Sequence, residues 1–110
     1  MSKHDTKSAS DVSAKDLSAF KKEALFAIAR LENSDETPYG LGIKRQLQER
    51  LDEEINHGRL YPNLDDLVGS GLLEKEALDK RTNTYTLTEE GKELLRDYRD
   101  YVDETVSTAL

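Results

Sequence analysis

The sequence predicts a mainly α fold with a two-stranded β wing, a winged helix-turn-helix with an extra C-terminal dimerisation helix. Three observations carry that expectation. Leu60, Leu64, Leu67 and Val68 recur at helical spacing in the segment that begins Leu60-Tyr61-Pro62-Asn63. Directly after it, Gly71-Leu72-Leu73 opens a pair of short strands around a basic turn, with Tyr85 and Leu87 alternating with threonines in the second. Gly91, Leu94, Leu95, Tyr98, Tyr101, Val102, Val106, Ala109 and Leu110 then form one apolar stripe along a final helix.

With 110 residues the chain has room for one modest core, and small domains of this kind often complete it against a second copy, so a homodimer is expected. Charged and apolar residues each make up 35%, yet periodicity fails only at the N-terminus, where Met1 to Ser10 mix Ser, Lys, Asp and Thr. The expected organisation is a flexible arm over residues 1–12, a winged-helix DNA-binding domain over 13–88 and a dimerisation helix over 89–110.

Element by element, the first helix is expected from a cap at Asp11 or Ser13, because Leu17, Phe20, Ala24, Leu25, Ile28 and Leu31 follow at spacings of three and four. Asn33-Ser34-Asp35-Glu36-Thr37-Pro38 ends it. Thr37 is then expected to cap a second helix with Pro38 in its first position, running to Leu51 and burying Leu41 or Ile43, Leu47 and Leu51. The third is expected to start near Arg59, because a proline deep in a helix costs about 3 kcal/mol and Pro62 therefore belongs in or close to the first turn. Gly69-Ser70-Gly71 provides its C-terminal cap. Leu72 to Leu78 and Thr84 to Leu87 read as strands around Asp79-Lys80-Arg81-Thr82-Asn83. Thr88 caps the last helix, with Glu89 and Glu90 in the first turn, where carboxylates complement the helix dipole.

Several function classes have no residues to support them. Adjacent acids such as Glu53-Glu54, Asp65-Asp66 and Glu89-Glu90 point away from one another on a helix and lack a companion His, Cys or glycine-rich loop, so no enzyme is expected. His4 and His57 lack ligand spacing, and no metal or cofactor is expected. Without cysteine there is no disulfide and no direct thiol sensing. No apolar run reaches the roughly 20 residues that span a bilayer, and the start lacks a signal-peptide hydrophobic region, which predicts a cytoplasmic protein without membrane contact.

Charge opposes DNA binding at first sight: 16 basic and 23 acidic residues leave a net −7, whereas nucleic-acid binders are usually basic. Position answers part of the objection, because residues 89–110 carry three cations and seven acids and so more than half of the excess. DNA recognition needs a groove-fitting helix with donors near its N-terminal end and flanking cations for phosphates. Arg59 offers the fork that pairs with guanine, with a phosphate contact or a solvated side chain as alternatives. Lys44, Arg45 and Gln48 lie on the second helix, His57, Tyr61 and Asn63 on or beside the third, and Lys80, Arg81 and Asn83 at the wing; all are assigned to the DNA-facing surface. Tyr61 fits either a phosphate contact or packing between helices. The dimer seam is assigned to Leu94, Leu95, Tyr98, Tyr101, Val102, Val106 and Leu110.

Tyr39-Gly40-Leu41-Gly42-Ile43, Gly58-Arg59-Leu60-Tyr61-Pro62-Asn63-Leu64, Gly71-Leu72-Leu73 and Tyr85-Thr86-Leu87-Thr88-Glu89-Glu90-Gly91 together resemble the PadR-like winged-helix transcriptional regulators from about Phe20 to Leu95. That resemblance implies a homodimer joined through terminal helices, bound to double-stranded DNA at a pseudo-palindromic operator with one recognition helix per half-site. The acidic excess is similar to that of family members from a salt-rich cytoplasm, where an oxidative-stress role is implied. The single final helix is shorter than the multi-helix C-terminal region of larger members, so no small-molecule effector is assigned. The alternative is a winged-helix module that binds a protein through its acidic surface.

Overall fold

The computed structural model describes residues 12–110, so residues 1–11 of the expected arm, with the Asp11 cap, lie outside the described residues. A 3-10 turn, Ala14–Asp16, precedes helices α1 (Ala19–Asn33), α2 (Gly40–Leu51) and α3 (His57–Gly69), strands β1 (Leu73–Ala77) and β2 (Asn83–Leu87), and helix α4 (Glu89–Ala109). The strands pair antiparallel, Leu73 opposite Leu87 and Ala77 opposite Asn83. A core of Phe20, Leu25, Ile28, Ile43, Leu47, Leu60, Leu64, Leu67, Leu72 and Tyr85 joins α1, α2, α3 and the hairpin.

Three starts differ from the sequence expectation. Ser13 caps only the 3-10 turn, in a reciprocal box with Asp16, while α1 is capped by Ser18, whose hydroxyl accepts from the Lys21 amide at 3.2 Å. Thr37 does not cap α2 and Pro38 is not helical. The Pro38 carbonyl accepts from the Tyr85 amide at 3.0 Å, and Tyr39, extended at φ −77 and ψ 156, forms a bridge with Thr84 and is itself the residue before the helix. The segment before α2 is thus spent as a third edge on the wing sheet. In α2 it is Ile43 and Leu47 that are buried, while Leu41 is exposed and Leu51 only half-buried.

Helix α3 starts before Arg59. Asn56 caps it, its side-chain oxygen accepting from the Arg59 amide at 2.8 Å, and Pro62 stands inside the helix rather than in its first turn. Proline there cannot donate to the Gly58 carbonyl; Gly58 and Pro62 are both exposed, so water can take that acceptor. At the other end the sequence expectation holds. Gly71 at φ 80 lets its amide reach the Val68 carbonyl and the Leu72 amide reach the Leu67 carbonyl, both at 3.0 Å, which turns the chain sharply into β1.

Helix α4 is tied to that same turn. The Thr88 hydroxyl accepts from the Gly91 amide at 3.0 Å and donates to the Gly71 carbonyl at 2.6 Å. A Cβ on Gly91 would collide with the Leu72 carbonyl oxygen, so glycine is what allows α4 to approach the turn between α3 and β1 this closely. No helix among the described residues is long and apolar enough to cross a membrane.

Candidate nucleic-acid interface

Apolar Leu60, Leu64 and Leu67 turn one side of α3 into the core, which leaves Gly58, Arg59, Pro62, Asp65 and Asp66 outward. Around this face the fold gathers the predicted residues into groups. Lys44 of α2 and His57 at the start of α3 line one cleft of about 410 Å³ with Asn56. Tyr61, Arg81 and Asn83 share another of about 270 Å³, where the wing meets α2 and α3. Asn83 is therefore the first residue of β2 and not part of the loop.

Tyr61 explains why a Tyr-Gly pair opens α2. A Cβ at Gly40 would lie 2.5 Å from the Tyr61 hydroxyl, so the absent side chain is the space that the phenol fills. The ring also meets His57 of its own helix edge-on at 5.3 Å between centroids, and its exposure is limited.

Arg59 lies on the other edge of α3. Its guanidinium stacks 4.0 Å over the Phe20 ring of α1 and one nitrogen stands 3.5 Å from Glu53. Stacking fixes the plane of the fork while leaving in-plane donors available. Asn63 donates from its amide to the Arg59 carbonyl at 2.6 Å, and Gln48 accepts from the Ile55 amide at 3.0 Å, so each side chain uses one of its two amide groups to shape the turn before α3 or its first turns. Arg45, Lys80 and Arg81 are exposed, and no carboxylate among the described residues pairs with them or with Lys44.

Two lysines escaped the sequence reading. Lys21 of α1 pairs with Asp66 at 3.1 Å, and Lys75 of β1 pairs with Asp65 at 3.1 Å, so the two acids of α3 each hold a cation from a flanking element. The register of β1 against β2, which sets Lys75 opposite Tyr85, is the one signal that would have drawn attention to it. The Lys75 ammonium lies 5.8 Å from the Tyr85 ring centre, and the hydrogen bond that it donates to Asp65, aided by Tyr85, raises its pKa above the ordinary lysine value. Burial pushes the Tyr85 phenol up as well.

The residues assigned to a dimer seam divide. Leu94 is only 4% exposed and belongs to the chain's own core, and Leu95 is half-buried against it. Tyr98 lies beside Phe26 and Tyr101, each 6.2 Å away between ring centres, with the Lys22 ammonium over its ring. Beyond it Tyr101 (64%), Val102 (37%), Val106 (45%) and Leu110 (97%) are exposed.

A family model described as the transcriptional regulator PadR-like family matches residues 30–97. The chain belongs to the PadR-like family. Among solved structures, RosR of Halobacterium salinarum, in a complex with the designation RosR-S1, is 51% identical over 84% of this chain and 78% of its own, with a TM-score of 0.75. The RosR structure grown from NaBr gives 0.71 at the same 51% identity over 83% and 79%. F93 from STIV, a winged-helix DNA-binding protein, gives 0.62 at 19% identity over 82% and 95%, a likeness of fold alone. No curated protein matches the chain. The resemblance read from the Tyr-Gly, Leu-Tyr-Pro and Leu-Thr-Glu-Glu-Gly segments is thus borne out, and the fold is a winged helix-turn-helix with an added C-terminal helix.

Proposed function

We propose that this PadR-like regulator binds double-stranded DNA as a homodimer, placing one α3 per half-site of a pseudo-palindromic operator. The arrangement that supports this most directly is the flanking of α3: Lys44 and His57 at its N-terminal end, Arg81 and Asn83 beside Tyr61, and the stacked Arg59 on its outer edge. Arg59 reads a base through the donors left in its plane; Lys44, Arg45, Lys80 and Arg81 contact phosphates. Gln48 and Asn63 act by shaping the first turns of α3. The second copy covers Tyr101, Val102, Val106 and Leu110, together with the cleft of about 510 Å³ that Tyr98 and Tyr101 form with Lys15 and Lys22. That cleft lies on the same stripe of α4, so the partner helix and not a small effector is its occupant.

A net charge of −7 suits a cytoplasm rich in salt, since at about 1 M ionic strength the screening length is roughly 3 Å and distant acids no longer repel phosphates. An oxidative-stress role rests on the likeness to RosR; with no cysteine in the chain, the signal arrives by another route.

The test is a mobility shift with duplexes selected from a random library, at low and molar salt. The unmodified chain retains selected duplexes over random ones, and Arg59→Ala lowers that ratio by about 1 to 3 kcal/mol. An unchanged ratio removes Arg59 from base reading. Failure to retain any duplex at either salt favours the protein-binding module instead.

A further inference from the structure

Helix α3 is an unpromising surface for a polyanion, because it carries Asp65 and Asp66 outward and only Arg59 as a cation. Yet neither acid stands alone. The Lys21 ammonium reaches Asp66 from α1 and the Lys75 ammonium reaches Asp65 from β1, both at 3.1 Å, so the two pairs bracket α3 from its two flanks. The aspartates are more than half exposed and the lysines 25% and 37%, so these are solvent-facing pairs that hold weakly and can be exchanged.

We infer that Lys21 and Lys75 are phosphate-binding residues held in reserve by Asp66 and Asp65, and that DNA takes each ammonium from its carboxylate when α3 enters the groove. This deepens the DNA-binding reading and rests on it. Its consequence is a regulator whose affinity depends less on salt than its number of phosphate contacts implies. A lysine that meets a phosphate from solvent releases a counterion and adds about 0.9 to the negative slope of log K against log salt. A lysine that leaves a carboxylate also releases the phosphate's counterion, but the vacated carboxylate takes a cation up, and the two nearly cancel. The acids on α3 are therefore what keep binding usable where salt is high.

The experiment measures binding of one selected duplex across a range of salt for the unmodified chain, for Asp65→Asn with Asp66→Asn, and for that pair combined with Lys21→Gln and Lys75→Gln. Removing the acids should steepen the slope by about 2 per bound protomer, a relative gain of about a hundredfold for each tenfold dilution of salt. Removing the lysines as well should return the slope to its original value. An unchanged slope in the first variant, weaker binding at low salt, or a steepening that persists without the lysines each overturns the exchange. Circular dichroism and thermal unfolding confirm that every variant is folded before its slope is read. If the unmodified chain retains no duplex, the regulator reading fails and the exchange with it, a result distinct from all three.

Discussion

The two halves of α4 share one apolar stripe and have opposite environments. From Thr88 to Leu94 the helix is held by its own chain: Thr88 bonds to the Gly71 carbonyl, Gly91 lies against the Leu72 carbonyl and Leu94 is buried. From Tyr101 onward the same periodicity presents Tyr101, Val102, Val106 and Leu110 to solvent. Helical spacing states that a face will be covered and is silent about which molecule covers it. The change occurs within two turns, around Tyr98, where the ring still finds Phe26 and Lys22 of α1 but the helix is already leaving the core.

The largest effect that should separate the halves is Leu94→Ala. The cavity falls inside one chain, so the expected loss is about 2 to 5 kcal/mol, and the Tm should fall by more than about 10 °C. The loss should be the same at micromolar and at hundredfold higher concentration, because no second copy is involved at this site. A Tm that changes by less than a few degrees would place Leu94 outside the core.

Val102→Ser combined with Val106→Ser probes the other half. Each valine contributes about 1.5 kcal/mol or more once fully buried, and that burial exists only in the proposed dimer. Sedimentation should show a shift from dimer to monomer, and the concentration dependence of Tm should disappear with it. A variant that stays dimeric at low concentration would move the seam away from this stripe.

What the sequence made legible follows the same division between partners within reach and partners far along the chain. Leu60, Leu64 and Leu67, the Thr88 cap and the positive φ of Gly71 are local signals, and each is where it was expected. Ser13 and Ser18 are both competent caps, and only tertiary packing of Phe20 and Ala24 decides that α1 begins at the second. Thr37-Pro38 has the composition of a helix start, but the open edge of β2 offers Pro38 and Tyr39 a better use as strand partners. At the interface, Lys44, His57, Tyr61 and Arg81 were readable by type. Their grouping into two clefts was not, because it depends on how the wing returns to α2. Lys21 was invisible for the same reason: its partner Asp66 lies on a different helix.

The wing tip gives the smallest effect and a control for the comparison, since it also projects from the core yet closes its own bonds. One Asp79 carboxylate oxygen accepts from the Arg81 amide at 2.8 Å and the Thr82 amide at 2.9 Å, and the Leu78 amide donates to the Thr82 carbonyl at 2.8 Å. The backbone hydrogen bond from Arg81 first, then those from Thr82, hold the Asp79 carboxyl below its usual pKa of 3.8. A depressed folded pKa means that the ordering is fully present above the unfolded value and is lost as pH falls through the folded one. The tip should therefore stay closed from neutral pH down to about 4 and loosen only below it. Asp79→Ala should speed hydrogen exchange at the Arg81 and Thr82 amides severalfold at pH 7 with only a small fall in Tm, because the side chain is fully exposed. Asp79→Asn, which keeps the acceptor, should restore most of the protection. The serine substitutions in α4 should not alter these two amides, since a turn closed by its own Asp79 does not depend on the second copy. Exchange at Arg81 that follows dimer dissociation instead would show that the wing tip, like the far half of α4, borrows its order from outside the chain.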